Sequence, residues 1–447
     1  MRRIQLFSVA RKRSLIYVCM YGFHVLWFCL PTVLLGQITA RGLGMGGAYT
    51  ALARGVHAPQ WNPANLGLPD NPKFSFTFVS VGAAVRNNSF NWGMLDRYGG
   101  RHWTEQDIED ILSHIPDTGF DLDTRASVRA LSFSAGRFAL SFGAEAGSLV
   151  KLDKAFFQIP LKGNELDQSY NFNDSDGEGL GLGLVSLSYG QPVNVSFTDI
   201  FAIGGTLHFL YGGAYGKTDR AECVFSTKEY GFNLDAEYEV TYTYLGDIGF
   251  GLDLGAAAQF GGNWTVSCGL ANVLGSVSWS GDIKQEIGYV RGDNLTALGI
   301  SEEEDEDEDI LLDSSWTVEG LPEFSTRLPF VFRLGVAYQE GPVLLTADLT
   351  KGFTDGPFFS SKPRISIGTE WRGISWLPLR MGVVMGGRIG LGTSVGFGFR
   401  PGGFVLDVGV MNRGFVTFNN SKGLILGVEL GLDLQRKESE IVRVRDL

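Results

Sequence analysis

The chain has 447 residues, a formal net charge of −12 and 19% charged residues, with 61 glycines and 32 phenylalanines. The acidic balance argues against nucleic acid or an anionic lipid surface as a partner. Charges are sparse, yet no apolar run after the first forty residues could form a membrane helix, and strands that are apolar on one face only fit better.

Residues 1–36 read as a signal peptide. Arg2, Arg3, Arg11, Lys12 and Arg13 precede an apolar stretch from Leu15 to Gly36, with cleavage expected before Gln37. The stretch is long for a signal, and an uncleaved anchor helix is the alternative. If the signal is cleaved, Cys223 and Cys268 are the cysteines of the mature chain; they have no metal spacing, and one disulfide between them is open.

Gly42, Gly44 and Gly47 spell G-x-G-x-x-G. A dinucleotide loop needs a preceding strand and an acidic residue about twenty positions on. Here an export signal precedes the glycines, and "WNPANLGLP" occupies the later position. The glycines instead suit a backbone pressed against a surrounding wall. Pro63 holds Asn62 extended, and the Asn62 amide can tie a loop to wall groups. A mobile arm with turn glycines is the alternative.

From residue 73 onward, short runs alternate with period two. Ile365, Ile367, Thr369 and Trp371 oppose Arg364, Ser366, Gly368 and Glu370; Phe332, Leu334, Val336 and Tyr338 oppose Arg333, Gly335, Ala337 and Gln339. The spacing predicts strands near 73–83, 126–134, 137–147, 178–190, 200–212, 236–260, 264–273, 328–339, 343–350, 362–372, 377–386, 391–399, 403–412 and 422–434. Long connections (86–124, 148–177, an excursion to 235, and about fifty residues before 328) alternate with tight turns such as Ala135-Gly136 and Gly261-Gly262-Asn263. Roughly ten-residue runs with alternating short and long connections predict an all-β transmembrane barrel of about fourteen antiparallel strands, apolar side toward lipid. The chain then divides into a signal peptide (1–36), an N-terminal plug (37–72), the barrel (73–434) and a charged tail (435–447).

No cofactor, metal or catalytic constellation emerges, and the chain reads as a non-enzyme. The histidines lack zinc spacing. Ser394 lies in Gly-x-Ser-x-Gly, but an alternating strand continues where a nucleophile elbow needs a helix. "TEQDIEDILSHI" predicts a helix capped by Thr104, with Asp107 at its third position and Ile108, Ile111, Leu112 and Ile115 as its apolar stripe. Ile108 and Ile111, with Phe156, Phe157 and Leu161 of "KAFFQIPL", are candidates to capture an apolar ligand, or they pack the outer loops together. The carboxylates of 301–310 read as a solvated loop tip, or as a cation site near lipopolysaccharide. Arg333, Arg364, Glu370, Arg380, Asp407 and Glu429 fall on inward faces, where they pair, anchor the plug or receive a ligand carboxylate.

"ARGLGMGGAYTALARGVHAPQWNPANLG" (40–67) resembles the N-terminal hatch of the FadL family of outer-membrane transporters, and more closely its PorV-like branch. The resemblance rests on Gly42, Gly44, Gly46, Gly47-Ala48-Tyr49, Ala51-Leu52-Ala53 and Asn62-Pro63-Ala64, with a second match at "LPLRMGVVMGG" and "LGTSVGFGFRPGGFVLDVGV". It implies a hatch inside the lumen of a fourteen-stranded barrel in the outer membrane of a diderm bacterium, in contact with outer-membrane lipid and lipopolysaccharide. It further implies passive movement of small hydrophobic molecules such as fatty acids. The PorV-like branch implies an alternative, a docking component for secretion-machinery proteins without transport of its own.

Overall fold

The computed structural model describes residues 38–295, 312–414 and 418–435. The signal peptide, the 301–310 acidic run and nearly all of the C-terminal tail lie outside the described residues. In chain order the strands are β1 (Phe74–Asn87), β2 (Phe120–Ala135), β3 (Phe138–Leu152), β4 (Ser169–Asn171), β5 (Asp176–Val193), β6 (Ile200–Lys228) and β7 (Gly231–Tyr244). Then come β8 (Ile248–Phe260), β9 (Trp264–Trp279), β10 (Lys284–Leu295), β11 (Leu312–Glu319), β12 (Phe324–Arg327), β13 (Val331–Glu340) and β14 (Val343–Gly352). The last are β15 (Arg364–Trp371), β16 (Leu379–Gly386), β17 (Gly390–Phe399), β18 (Phe404–Arg413) and β19 (Gly423–Leu434).

Fourteen of these close into one antiparallel barrel, in the order β1-β2-β3-β5-β6-β8-β9-β13-β14-β15-β16-β17-β18-β19. β19 returns to β1, with Phe74 opposite Leu434 and Arg86 opposite Gly423. The alternation has the predicted sense. Ile365, Leu334 and Val428 are 50%, 37% and 47% exposed on the outer face, whereas their neighbours Ser366, Arg333 and Glu429 are buried inside. Tight turns join the strands at one end: Gly136, Gly261 and Gly341 each take positive φ there, as glycine does without a Cβ penalty.

Two parts of the strand map are corrected. The single descent expected over 236–260 is two strands, β7 and β8, divided at Leu245–Asp247. β6, expected to stop near 212, runs on to Lys228. Its far half leaves the barrel and pairs with β7, which pairs with β10, and β10 with β11. The fifty-residue connection expected before 328 contributes β10 and β11 to this outer layer, and β12, which pairs with the far end of the barrel strand β9. Alternation continues across these segments whichever sheet they join, so period alone cannot show where a strand leaves the barrel.

A cation placed on the outer face tests which side meets lipid. Ile367→Lys, at mid-strand on β15, should destabilise the folded barrel by about 2–4 kcal/mol in vesicles. The readout is the urea midpoint followed by the heat-modifiable gel shift. An unchanged midpoint would contradict an apolar surround.

Candidate functional site

Residues 38–72 fill the space enclosed by the strands. The short helix Ala40–Gly44 is buried along its whole length, and the helix Ala58–Trp61 leads into the 3-10 turn Pro63–Gly67. Asn62 sits at φ −158°, ψ 108°, the extended backbone that a following proline favours. Its Oδ1 accepts the Ala64 N–H at 3.0 Å, and its Nδ2 donates to the Ala256 carbonyl of β8 at 2.8 Å. The wall supplies further anchors. Asp348 accepts the Tyr49 and Thr50 N–H groups at 3.0 and 2.8 Å. Ser394 Oγ accepts the Gly46 N–H at 2.7 Å and donates to the Gly44 carbonyl at 3.1 Å. Ser394 is thus a wall anchor on an uninterrupted strand. The glycines of segment and wall meet face to face: Gly46 has φ +71°, and a Cβ on Gly409 of β18 would lie 2.9 Å from the Gly44 nitrogen. Tyr49 is fully buried, with the His57 and Trp61 rings edge-on at 5.9 and 5.6 Å.

A buried charge network fastens the segment. The Arg41 guanidinium forks onto Glu370, Nε to Oε2 at 2.9 Å and Nη2 to Oε1 at 3.0 Å. Glu370 also accepts from Arg380 Nε at 2.6 Å and from Arg372. Arg380 reaches on to Asp407 at 2.6 Å, which accepts Arg400 at 2.8 Å. On a neighbouring strand, His57 Nε2 lies 3.1 Å from Glu429 Oε1, which Thr77 also approaches at 3.2 Å. Five of the six residues singled out as inward-facing (Arg333, Glu370, Arg380, Asp407 and Glu429) therefore lie in contacts that hold residues 38–72 or the side chains that hold them. Arg333 also lines a cavity, as does the sixth, Arg364.

That cavity encloses about 150 Å³ between residues 38–61 and the barrel end that carries the long connections. Its apolar lining comes from Ile38, Leu43, Ala84, Ile389, Met411 and Ile425, which form one packed cluster, joined by Trp61 and Phe358. Arg333 donates to the Gln60 carbonyl at 2.7 Å and stacks over Trp61 at 5.6 Å. Arg86, Arg125 and Arg388 enter from the strand ends.

The five loop residues proposed for ligand capture lie elsewhere. Thr104 caps the helix Glu105–Ser113 in a reciprocal box with Asp107. The Thr104 N–H and hydroxyl hold the Asp107 carboxyl below the usual range. Ile111 packs with Met94, Tyr98 and Leu161; Phe156 and Phe157 pack against Val150 and Leu152. None of these side chains, nor Ile108, lines the cavity.

Ser186, His208 and Asp253 make an inward row that sequence spacing did not single out. Ser186 Oγ is 2.7 Å from His208 Nδ1, and Asp253 Oδ2 is 3.0 Å from Nε2. A nucleophilic triad holds the serine on Nε2 and the carboxylate on Nδ1. The order here is reversed, and the row stays outside the cavity lining, so it fastens β5, β6 and β8 to one another. Cys223 and Cys268 are both free thiols.

The family model described as "Family of unknown function (DUF5723)" matches residues 63–247 and 240–410, and the chain belongs to that family. A search of curated proteins finds no match. By fold the chain is similar to the Ralstonia pickettii toluene transporter TbuX, at 12% identity and TM-score 0.51, over 90% of this chain and 99% of that one. It is also similar to the P. putida toluene transporter TodX, at 11% identity and TM-score 0.50, over 90% and 99%. A Pseudomonas aeruginosa FadL homologue aligns at 12% identity and TM-score 0.46, over 91% and 99%. At these identities the likeness is one of fold.

Removing the shared carboxylate should loosen the whole segment. Glu370→Ala leaves the Arg41, Arg372 and Arg380 guanidiniums facing one another, and breaking such a buried set costs about 3–5 kcal/mol. Limited trypsin digestion should then cut at Arg41 and Arg54 well before the wall strands unfold. Equal protection in the variant would show that the network does not hold the segment.

Proposed function

We propose that this member of the DUF5723 family is an outer-membrane channel through which small molecules with substantial apolar surface pass without an energy source. Residues 38–72 act as its hatch. The carrying observation is the enclosed space at the long-connection end. It is roomy enough for a single ring, since an engineered apolar cavity of about this size takes up benzene, and six of its lining residues form one apolar cluster. A molecule entering among the long connections would meet that cluster where Ile38 and Leu43 of the hatch pack against the wall residues Ala84, Ile389, Met411 and Ile425. The fold likeness to two proteins described as toluene transporters supports the same reading.

Uptake by the reconstituted full chain tests this. Vesicles containing the protein should accumulate at least one of labelled toluene, benzoate, phthalate, phenyl phosphate and laurate faster than empty vesicles. Ala84→Trp, which fills the cavity from β1, should abolish the difference while leaving the heat-modifiable gel shift in place. Uptake of none of them, together with a stable protein partner in a pull-down, would overturn the channel and favour a docking role.

A further inference from the structure

We infer that the cavity takes a small amphiphile whose head carries two or more negative charges on oxygen; this rests on the channel reading above and names its substrate class. Six cationic side chains line the space, Arg86, Arg125, Arg333, Arg364, Arg388 and Lys362, against one lining carboxylate, Glu145. Glu145 is already engaged by Arg129 at 2.6 Å. The carboxylate just behind, Asp123, is shared three ways: Arg86 at 2.6 Å, Arg125 at 3.2 Å and Arg388 at 3.8 Å. Arg388 also reaches Asp355 at 3.5 Å. Among the described residues, Arg364 and Lys362 have no carboxylate within ion-pair distance, and the Arg364 guanidinium reaches only the Thr350 hydroxyl, at 3.4 Å. This concentration of positive charge stands in a chain whose net charge is −12.

The unmatched donors point the same way. Arg86 Nε, Arg364 Nε and Arg388 Nη1 are buried N–H groups with no hydrogen bond among the described residues, Arg388 Nη1 staying 3.8 Å from Asp123. A guanidinium out of water needs anionic oxygen opposite its N–H groups, and its planar fork matches carboxylate and phosphate. A neutral hydrocarbon would leave all three unmatched. A single carboxylate presents one charge to two cations without a carboxylate partner, Arg364 and Lys362, and to three more that share Asp123. A head with two charges and three or more oxygens can accept from several guanidiniums at once, while the Ile38, Leu43, Ile389, Met411 and Ile425 cluster takes its apolar body. The cavity of about 150 Å³ has room for a body of about one ring. An aromatic dicarboxylate and an aryl phosphate share this chemistry.

The test holds the ring constant and varies the charge. Toluene, benzoate, phthalate and phenyl phosphate are titrated calorimetrically into the full chain in detergent at pH 8, with inorganic phosphate as the ring-free control. Phthalate or phenyl phosphate should bind at least about tenfold tighter than benzoate, a difference worth one step of 1.4 kcal/mol. The preference should shrink as salt rises. Arg364→Gln and Arg388→Gln should each remove it. Lys362→Gln, on an exposed side chain, should weaken it and keeps the test open if the buried variants fail to fold. Whichever dianion wins identifies the head. Benzoate or toluene binding as tightly as both dianions would overturn the inference and leave the channel standing. So would inorganic phosphate binding as tightly as phenyl phosphate, because the ring would then contribute nothing. If no ligand binds and none is taken up by vesicles, the inference and the channel reading fall together.

Discussion

Closure of the hydrogen-bond ladder between β1 and β19 is the constraint from which the rest follows. A sheet edge facing hydrocarbon has no water to satisfy its N–H and C=O groups, so a membrane sheet must join its own first and last strands. The pairing from Phe74–Leu434 to Arg86–Gly423 does this over nearly the full length of both. Once fourteen strands form a ring, each inner face looks onto a space wider than its own side chains can fill. Residues 38–72 fill it here, and the inner faces carry the chemistry needed to hold a second stretch of backbone: small residues where chains touch, and polar residues where N–H and C=O groups need partners.

That filling explains why so many charges sit in the interior. Burying Glu370 or Asp407 alone would be severely unfavourable. Each is surrounded by guanidiniums from different parts of the chain, so that Arg41 of the segment and Arg380 of the wall complete one another's environment. The attachment has a direction. Anchors concentrate on β14 to β19, through Asp348, Glu370, Ser394, Asp407 and Glu429, whereas the Asn62–Pro63 corner rests on β5, β6 and β8 mainly through backbone contacts. The segment is pinned most strongly along one side of the barrel.

The strand pattern was legible wherever a tight turn and a two-faced run coincided, as from β13 to β19. There the apolar and small residues alternate without a break, and the turn glycines mark the ends. It became illegible where residues lost contrast. Ala83 and Ala84 precede Arg86, so the expected strand near 73–83 stops four residues short of Asn87, and Arg86 falls into a supposed loop although it is a cavity wall. Asp348 sits at inward parity between Thr346 and Thr350, where nothing local distinguishes an anchor from any polar lumen residue. The far half of β6 alternates as regularly as its near half, because a sheet outside the barrel also has two faces.

The cavity was the least legible feature for a reason that reaches beyond this chain. Its cations come from β1, β2, β13 and β15 and from the connections around Lys362 and Arg388, positions separated by up to three hundred residues. Each arginine alone has an ordinary local explanation: a strand end, a turn, a lumen pair. Only the ring closure that brings β1 beside β19 carries Arg86 and Asp123 round toward Arg388. The electrostatic character of the site is therefore a property of the barrel's circumference. It arises because the carboxylates that would have neutralised these arginines are spent on the segment and its supporting side chains elsewhere on the wall. The side of the ring that grips residues 38–72 is charge-matched, and the outer mouth above it is left positive.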